Sequence, residues 1–209
     1  MDERERLTDG ARRLGLELAP AAVLRLLRLI EELERWNRAY SLTALRGREA
    51  LITHHLLDSL AIHADLRGPS VADVGTGAGF PGLPLAIARP ELAFTLIDSN
   101  QKKIRFVAHA QRTLALANVT PLHARVESLA LAAPFATVTA RAFAALPELL
   151  AQVSPLCGPG TRLLAMKGRL PRAELAGIGQ AWAVVEVREL QVPGLDAVRH
   201  LLVLERRDR

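Results

Sequence analysis

The chain has 209 residues, half of them hydrophobic, and a formal net charge of +5. That length fits one domain with a small extension, and that apolar content builds a sizeable core without staples. A lone cysteine, Cys157, excludes an internal disulfide and any cysteine-rich zinc site, and the apolar stretches break at charges well short of the ~20 residues of a membrane helix.

Lysine stands only at Lys102, Lys103 and Lys167, so arginine supplies the rest of the 27 basic residues. Arginine forks onto phosphate, and the excess points toward a nucleic-acid partner, although arginine preference also follows genomic base composition. Five Phe, two Trp and one Tyr are too few for an extended stacking platform. The opening Met1-Asp2-Glu3-Arg4-Glu5-Arg6 is charged and has no apolar signal core. A cytoplasmic protein, monomeric by default, is expected.

In chain order, Ala21 to Trp36 places Val23, Leu26, Leu27, Ile30 and Leu33 on one stripe at helical spacing, with Pro20 suited to the first turn. A second helix is predicted over Ala50 to Leu66, closed by Gly68-Pro69. Residues 1–68 are thus expected to be a helical extension packed on a core domain of 69–209. From Ser70 strand and helix alternate. Strands are predicted at Ser70–Gly75, Phe94–Ile97, Val119–His123, Thr137–Ala140, Arg162–Met166, Val184–Val187 and His200–Leu204. Helices are predicted near Leu83–Ala88, Lys102–Ala117, Leu146–Leu156 and Arg172–Trp182. The pattern specifies an α/β fold with a seven-stranded, mostly parallel sheet and helices on both faces. Only a short turn with Pro193-Gly194 separates the last two strands, which predicts a hairpin and one antiparallel edge strand.

The first strand ends at Asp73 and breaks into a loop with Gly75, Gly77, Gly79 and Gly82. Gly77-Ala78-Gly79-Phe80-Pro81-Gly82 matches the dinucleotide pattern G-x-G-x-x-G, and Asp98 closes the second strand, where an acid grips ribose hydroxyls. The loop glycines would bring bare backbone against a nucleotide-like cofactor. By itself the match leaves NAD and S-adenosylmethionine (SAM) both open. Two residues favour SAM. A carboxylate at Asp73 repels a pyrophosphate and suits an ammonium or a sulfonium. Pro81 has no N–H to offer a diphosphate. Asp98 can instead cap the following helix. After the third strand, Val126 would cover the adenine face and Glu127 its edge; Glu127 is equally an ordinary first-turn acid.

Several segments together resemble the RsmG family, also called glucose-inhibited division protein B, over nearly the whole chain. They are Trp36-Asn37-Arg38-Ala39-Tyr40-Ser41-Leu42-Thr43, His55-Leu56-Leu57-Asp58-Ser59-Leu60, Asp73 through Gly82, Leu96-Ile97-Asp98-Ser99, Arg141-Ala142-Phe143-Ala144, Met166-Lys167-Gly168, Leu190-Gln191-Val192-Pro193 and Arg199-His200-Leu201. The resemblance implies a Rossmann-like SAM-dependent methyltransferase fold. It implies methylation at N7 of one guanine in 16S rRNA near the decoding region, with SAM contacts at Gly75, Phe80, Asp98, Val126, Glu127 and Arg141. The family usually has asparagine where Ser41 stands; a serine there keeps a capping hydroxyl.

The chemistry agrees by omission. Guanine N7 is a lone-pair acceptor and attacks a methyl sulfonium without losing a proton, so alignment rather than a strong base is required. No Asn/Asp-Pro-Pro-aromatic segment follows the fourth strand, and no Pro-Cys nucleophile is present; Cys157 is expected to be a buried spectator. Arg141 and Lys167, at neighbouring strand ends, are expected to face the open side of the SAM pocket and hold the target phosphate or guanine O6. Their alternative is surface charge with a packed aliphatic stem. Arg199 and His200 are either RNA contacts or charges guarding an edge strand. Phe80 and Phe143 would stack on a flipped base or wall the methionine chain. The pair His54 and His55 is expected to be structural, with no metal, because adjacent helical residues point apart. Rival readings are a SAM enzyme for another RNA position or a small molecule, an NAD oxidoreductase, and a nucleic-acid-binding module with a dead pocket. The oxidoreductase lacks a Tyr-x-x-x-Lys set, Tyr40 being the only tyrosine.

Overall fold

A computed structural model describes residues 2–129, 132–141, 145–169, 172–175 and 177–208, with Arg172 described by its backbone alone. The seven strands are β1 (Ser70–Val74), β2 (Ala93–Asp98), β3 (Val119–His123), β4 (Thr137–Arg141), β5 (Arg162–Lys167), β6 (Trp182–Glu189) and β7 (His200–Arg206), in the order β3-β2-β1-β4-β5-β7-β6. The first five pair in parallel, whereas β7 runs antiparallel to both β5 and β6. The hairpin forms at one side of the sheet as expected, with a refinement of order: β6 is outermost, and the final strand is inserted between it and β5.

Alternate residues of the strands feed two cores, as the two-residue period of a strand dictates. Val71, Phe94, Leu96, Leu164 and Val203 pack on one face with α5 (Gly82–Ala88) and α6 (Gln101–Thr113). Ala72, Val74, Ile97, Val138 and Leu163 pack on the other with α7 (Leu146–Val153). Burial on both faces leaves β1, β4 and β5 without the in-out polar alternation of a half-exposed strand. The first core continues into the N-terminal helices, where Leu7, Leu26, Ile30, Leu33 and Leu57 are all fully or almost fully buried.

Several boundaries differ from the sequence expectation. A helix α1 (Glu3–Arg13) precedes α2 (Pro20–Tyr40). Asp2 and Glu5 form its capping box, with Glu5 N donating to Asp2 Oδ1 at 2.7 Å and Asp2 N to Glu5 Oε2 at 3.1 Å. The second predicted helix is broken into α3 (Arg48–Leu51), a π-helical run Ile52–Leu57, α4 (Asp58–Leu60) and a 3-10 turn His63–Asp65. The helix predicted over Arg172–Trp182 is only α8 (Arg172–Leu175), because Trp182 already opens β6. Helix α6 stops at Thr113, where Ala115 turns left-handed (φ 51°).

Candidate cofactor and substrate site

The strand order reverses between β1 and β4, and a crevice opens there at the carboxyl ends of the strands, the usual ligand position in such sheets. Gly75 follows β1, and Arg141 ends β4. Three chambers that share lining residues surround this point. The first, about 370 Å³, is lined by Gly75, Asp98, Val126, Glu127 and Arg141, together with Ser99, Lys103 and Gln152. A loop pocket of about 230 Å³ adds Thr76, Gly77, Phe80, Leu42 and His55 and shares Gly75, Lys103 and Arg141 with the first. The second chamber, about 610 Å³, is lined by His54, His55, Asp58, Arg141, Met166, Lys167 and Arg199, with Leu45 across it. Arg141 belongs to all three.

Asp98 is almost buried. Its Oδ2 accepts from Gly77 N at 2.9 Å and its Oδ1 from Asn100 N at 2.8 Å. These bonds tie the glycine loop to the end of β2 and leave one lone-pair direction on each oxygen for a ligand. The capping role weighed for Asp98 falls to Asn100, whose Oδ1 accepts from Lys102 N and Lys103 N at 3.0 and 3.4 Å. Val126 is buried beside the chamber, and Glu127 stands exposed at its rim.

Asp73 corrects the expectation that it faces the ligand. It is fully buried beneath the loop. Its Oδ2 accepts from Thr76 Oγ1 at 2.5 Å and Gly82 N at 2.9 Å, and its Oδ1 from Thr139 Oγ1 at 3.0 Å. Burial raises its pKa to about 6, against the lowering effect of those three donors. Asp73 therefore fills the start of α5 from inside the protein. With Pro81 lacking an N–H and Leu83 N committed to Gly79 O at 2.7 Å, that helix start has little to offer a pyrophosphate. Gly79 also stays out of the chambers: with φ +87°, its α-carbon sits so close to Leu83 that a Cβ would meet Cδ1 at 2.3 Å.

Phe80 stacks on His55, ring centroids 4.5 Å apart and planes 18° from parallel, and the Arg141 guanidinium lies 5.7 Å from the Phe80 centroid. His55 Nε2 is 3.0 Å from Thr43 Oγ1. Burial, then the charge of Arg141, then His54 lower the His55 pKa to about 3, so the ring is neutral near pH 7. The bulk of Phe80 thus forms a wall. Phe143, the other aromatic named from sequence, lies outside the described residues.

In the second chamber Arg141 Nη1 donates to Asp58 Oδ2 at 3.1 Å and to the His54 carbonyl at 3.2 Å, while Arg199 Nε donates to Asp58 Oδ1 at 3.1 Å. Lys167 Nζ is 3.8 Å from Glu174 Oε2. The edge-strand reading of Arg199 and His200 fails, because β7 is flanked on both sides. Arg199 joins the chamber, and His200 sits opposite Lys167 in the β5–β7 register, outside the chamber walls. Cys157 lies away from these chambers, its thiol pushed up to about 12 by burial. Among the described residues, no group of three or more His, Cys, Asp or Glu is placed to hold a metal ion, and no helix is long and apolar enough to cross a membrane.

Sequence reasoning missed Leu42, Asp58, Lys103 and Gln152. The first three carried local signals: Leu42 and Asp58 lie in segments already distinctive, and Lys103 is on the first turn after Asn100. Gln152, on α7, reaches the first chamber only through the tertiary fold.

A family model described as GidB, rRNA small subunit methyltransferase G, matches residues 23–202. The chain is 46% identical over 205 residues to the ribosomal RNA small subunit methyltransferase G of Aromatoleum aromaticum, covering 96% of this chain and 97% of that one. It is 48% identical over 199 residues to the enzyme of that name from Methylococcus capsulatus, covering 95% and 97%. Among solved structures, a SAM-dependent methyltransferase from Aquifex aeolicus superposes with a TM-score of 0.59 at 18% identity, covering 79% of this chain and 97% of that one. A SAM-dependent methyltransferase from Thiobacillus denitrificans in complex with S-adenosyl-L-homocysteine gives 0.54 at 14% identity, covering 72% and 90%. The sheet order, the crevice at its switch point and this full-length sequence similarity converge: the chain belongs to the rRNA small subunit methyltransferase G family.

Proposed function

We propose that this protein, a cytoplasmic monomer, transfers the methyl group of SAM to N7 of a specific guanine in 16S rRNA, near the decoding region. The observation that carries the reading is that Arg141 lines both the chamber of Asp98 and Val126 and the chamber of Lys167 and Arg199. A donor in the first and an acceptor in the second would meet there.

The residues fit SAM. Asp98 offers two free lone-pair directions to ribose hydroxyls, Val126 an apolar face to adenine, and Glu127 a rim acceptor to its edge. The backbone of Gly75 and Gly77 borders the ribose and methionine side, where Phe80 supplies the wall and Lys103 a cation for a carboxylate. Bound there, SAM supplies an electrophilic methyl group. NAD fits less well, because Asp73 already occupies the helix start from inside. The protein's own part is alignment and exclusion of water. The nucleophile is a lone pair, so the neutral His55 has no proton to remove. Lys167 and Arg199 would hold guanine O6 or a neighbouring phosphate, as charge-assisted donors do. We read residues 1–68 as an extension that roofs this site, with the transferase domain in 69–209.

Thermal-shift measurements with SAM, S-adenosylhomocysteine and NAD test the cofactor, since a ligand at 100 times its Kd adds ~2.7 kcal/mol. Stabilisation by the first two alone is expected. Tritium transfer from labelled SAM into small subunits, followed by site mapping, tests the target. Label appearing at any position other than a guanine N7 in 16S rRNA refutes the reading.

A further inference from the structure

We infer that Asp58 is a positioning residue that ties the arginine of the cofactor side to the arginine of the substrate side, fixing both for the target nucleotide. The inference rests on the methyltransferase reading above and extends it to a residue with no role there. Asp58 has 2% side-chain exposure, and each of its oxygens is committed to a different arginine at 3.1 Å. Arg141 arrives from the end of β4 and Arg199 from the residue before β7, 83 and 141 positions away from Asp58. The three meet only in the folded sheet.

A buried carboxylate between two guanidiniums is a poor device for stability alone, since apolar residues of similar volume often do as well or better. It is a good device for geometry. The planar guanidinium is rigid, so two hydrogen bonds set its direction. Among the described residues both bonds of Arg141 run from Nη1, and those of Arg199 run from Nε and Nη1. The remaining donors are thereby aimed without being consumed. One carboxylate also keeps the two cations from repelling each other, and the triad still carries one net positive charge for an anionic nucleotide. The backbone supports the same reading. Asp58 follows directly on the π-helical run Ile52–Leu57 and closes it with a bond from its N–H to the Thr53 carbonyl. A π turn carries extra residues per turn and re-aims the side chains after it, and such turns occur frequently at functional sites.

The test compares wild type with Asp58→Asn and Arg199→Gln in single-turnover and steady-state methylation of small subunits, with S-adenosylhomocysteine affinity and thermal midpoint measured on each. For Asp58→Asn, we expect the methyl-transfer rate to fall at least tenfold. Affinity for the small subunit should hold or tighten, because one negative charge is lost, and S-adenosylhomocysteine affinity should stay within threefold. Arg199→Gln should lose rate similarly, and the double variant should lose little more than either single, as residues acting as one unit do. Should Asp58→Asn not fold, Asp58→Glu, which keeps the charge and shifts the carboxylate, decides by the same readouts. A rate within threefold of wild type, or a loss matched by lost cofactor affinity or lost thermal stability, overturns the inference. A wild type that neither binds S-adenosylhomocysteine nor methylates the subunit overturns the functional reading instead.

Discussion

Gly82 gives its backbone N–H to Asp73 at 2.9 Å, and a Cβ built on Gly82 would stand 2.7 Å from that same oxygen. It would also stand 2.7 Å from Leu96 Cγ. The last glycine of the loop is therefore required for closeness to a carboxylate and to β2. Overpacking a buried contact costs about 1–3 kcal/mol, and here it also stretches the bond that seats α5. Gly82→Ala is expected to lower the unfolding free energy by about 2–3 kcal/mol in urea titration. An unchanged midpoint would show that the loop relaxes freely around the added methyl.

Asp73 links this packing to pH. The unfolded chain releases its proton near 3.8, while the folded protein keeps it to about 6. Between those values the native state binds more protons than the unfolded state, so Asp73 makes stability fall as pH rises from about 4 to about 6 and adds no further slope above. Asp73→Asn removes the titration while leaving a carbonyl oxygen for Gly82. Subtracting its urea-unfolding curve from that of wild type should reveal the decline in that window. Parallel curves would mean that the native carboxyl titrates as it does in the unfolded chain.

How much of this was legible beforehand divides along the length scale of the signal. The strands of the parallel sheet were found within a residue or so at each end, because short runs rich in apolar and β-branched residues are bounded there by turn residues and charges. Asp98, Gly75, Val126 and Glu127 were placed together because each sits at or just past a strand end, and the topology gathers strand ends. The end of α6 was missed because the left-handed residue there is Ala115 and not the expected glycine. The Asp58 triad was illegible because its partners lie 83 and 141 positions away. The inward turn of Asp73 is held mostly from nearby, by Thr76 and Gly82, with Thr139 alone from far off; the same local pattern suits a carboxylate that faces a ligand, so it did not decide the direction.

Ser41 shows the same limit on a smaller scale. The hydroxyl expected to cap makes no bond among the described residues. The position instead demands backbone geometry, since Ser41 closes α2 in the left-handed region at φ 49°, ψ 52°. Asparagine enters that region more readily than serine. Ser41→Asn is expected to raise stability by ~0.5 kcal/mol and Ser41→Gly by up to ~1 kcal/mol, read as a rise in the thermal midpoint. A fall in both would assign the serine hydroxyl a bonding role after all.

Lys167 distinguishes the two chambers. It lies at the end of β5, in the wall shared by Met166 and Arg199, and does not line the chamber of Asp98. A charged donor to a nucleotide contributes about 1.5–3 kcal/mol, and its loss falls on the transfer step rather than on the cofactor. Lys167→Ala is therefore expected to lower kcat/KM for the small subunit by roughly ten- to a hundredfold, while calorimetric affinity for S-adenosylhomocysteine stays within threefold. Asp98→Ala is the complementary control, losing cofactor affinity first. Equal losses in both quantities for Lys167→Ala, or loss in neither, would remove Lys167 from the substrate side and return it to the packing of β5 against Glu174.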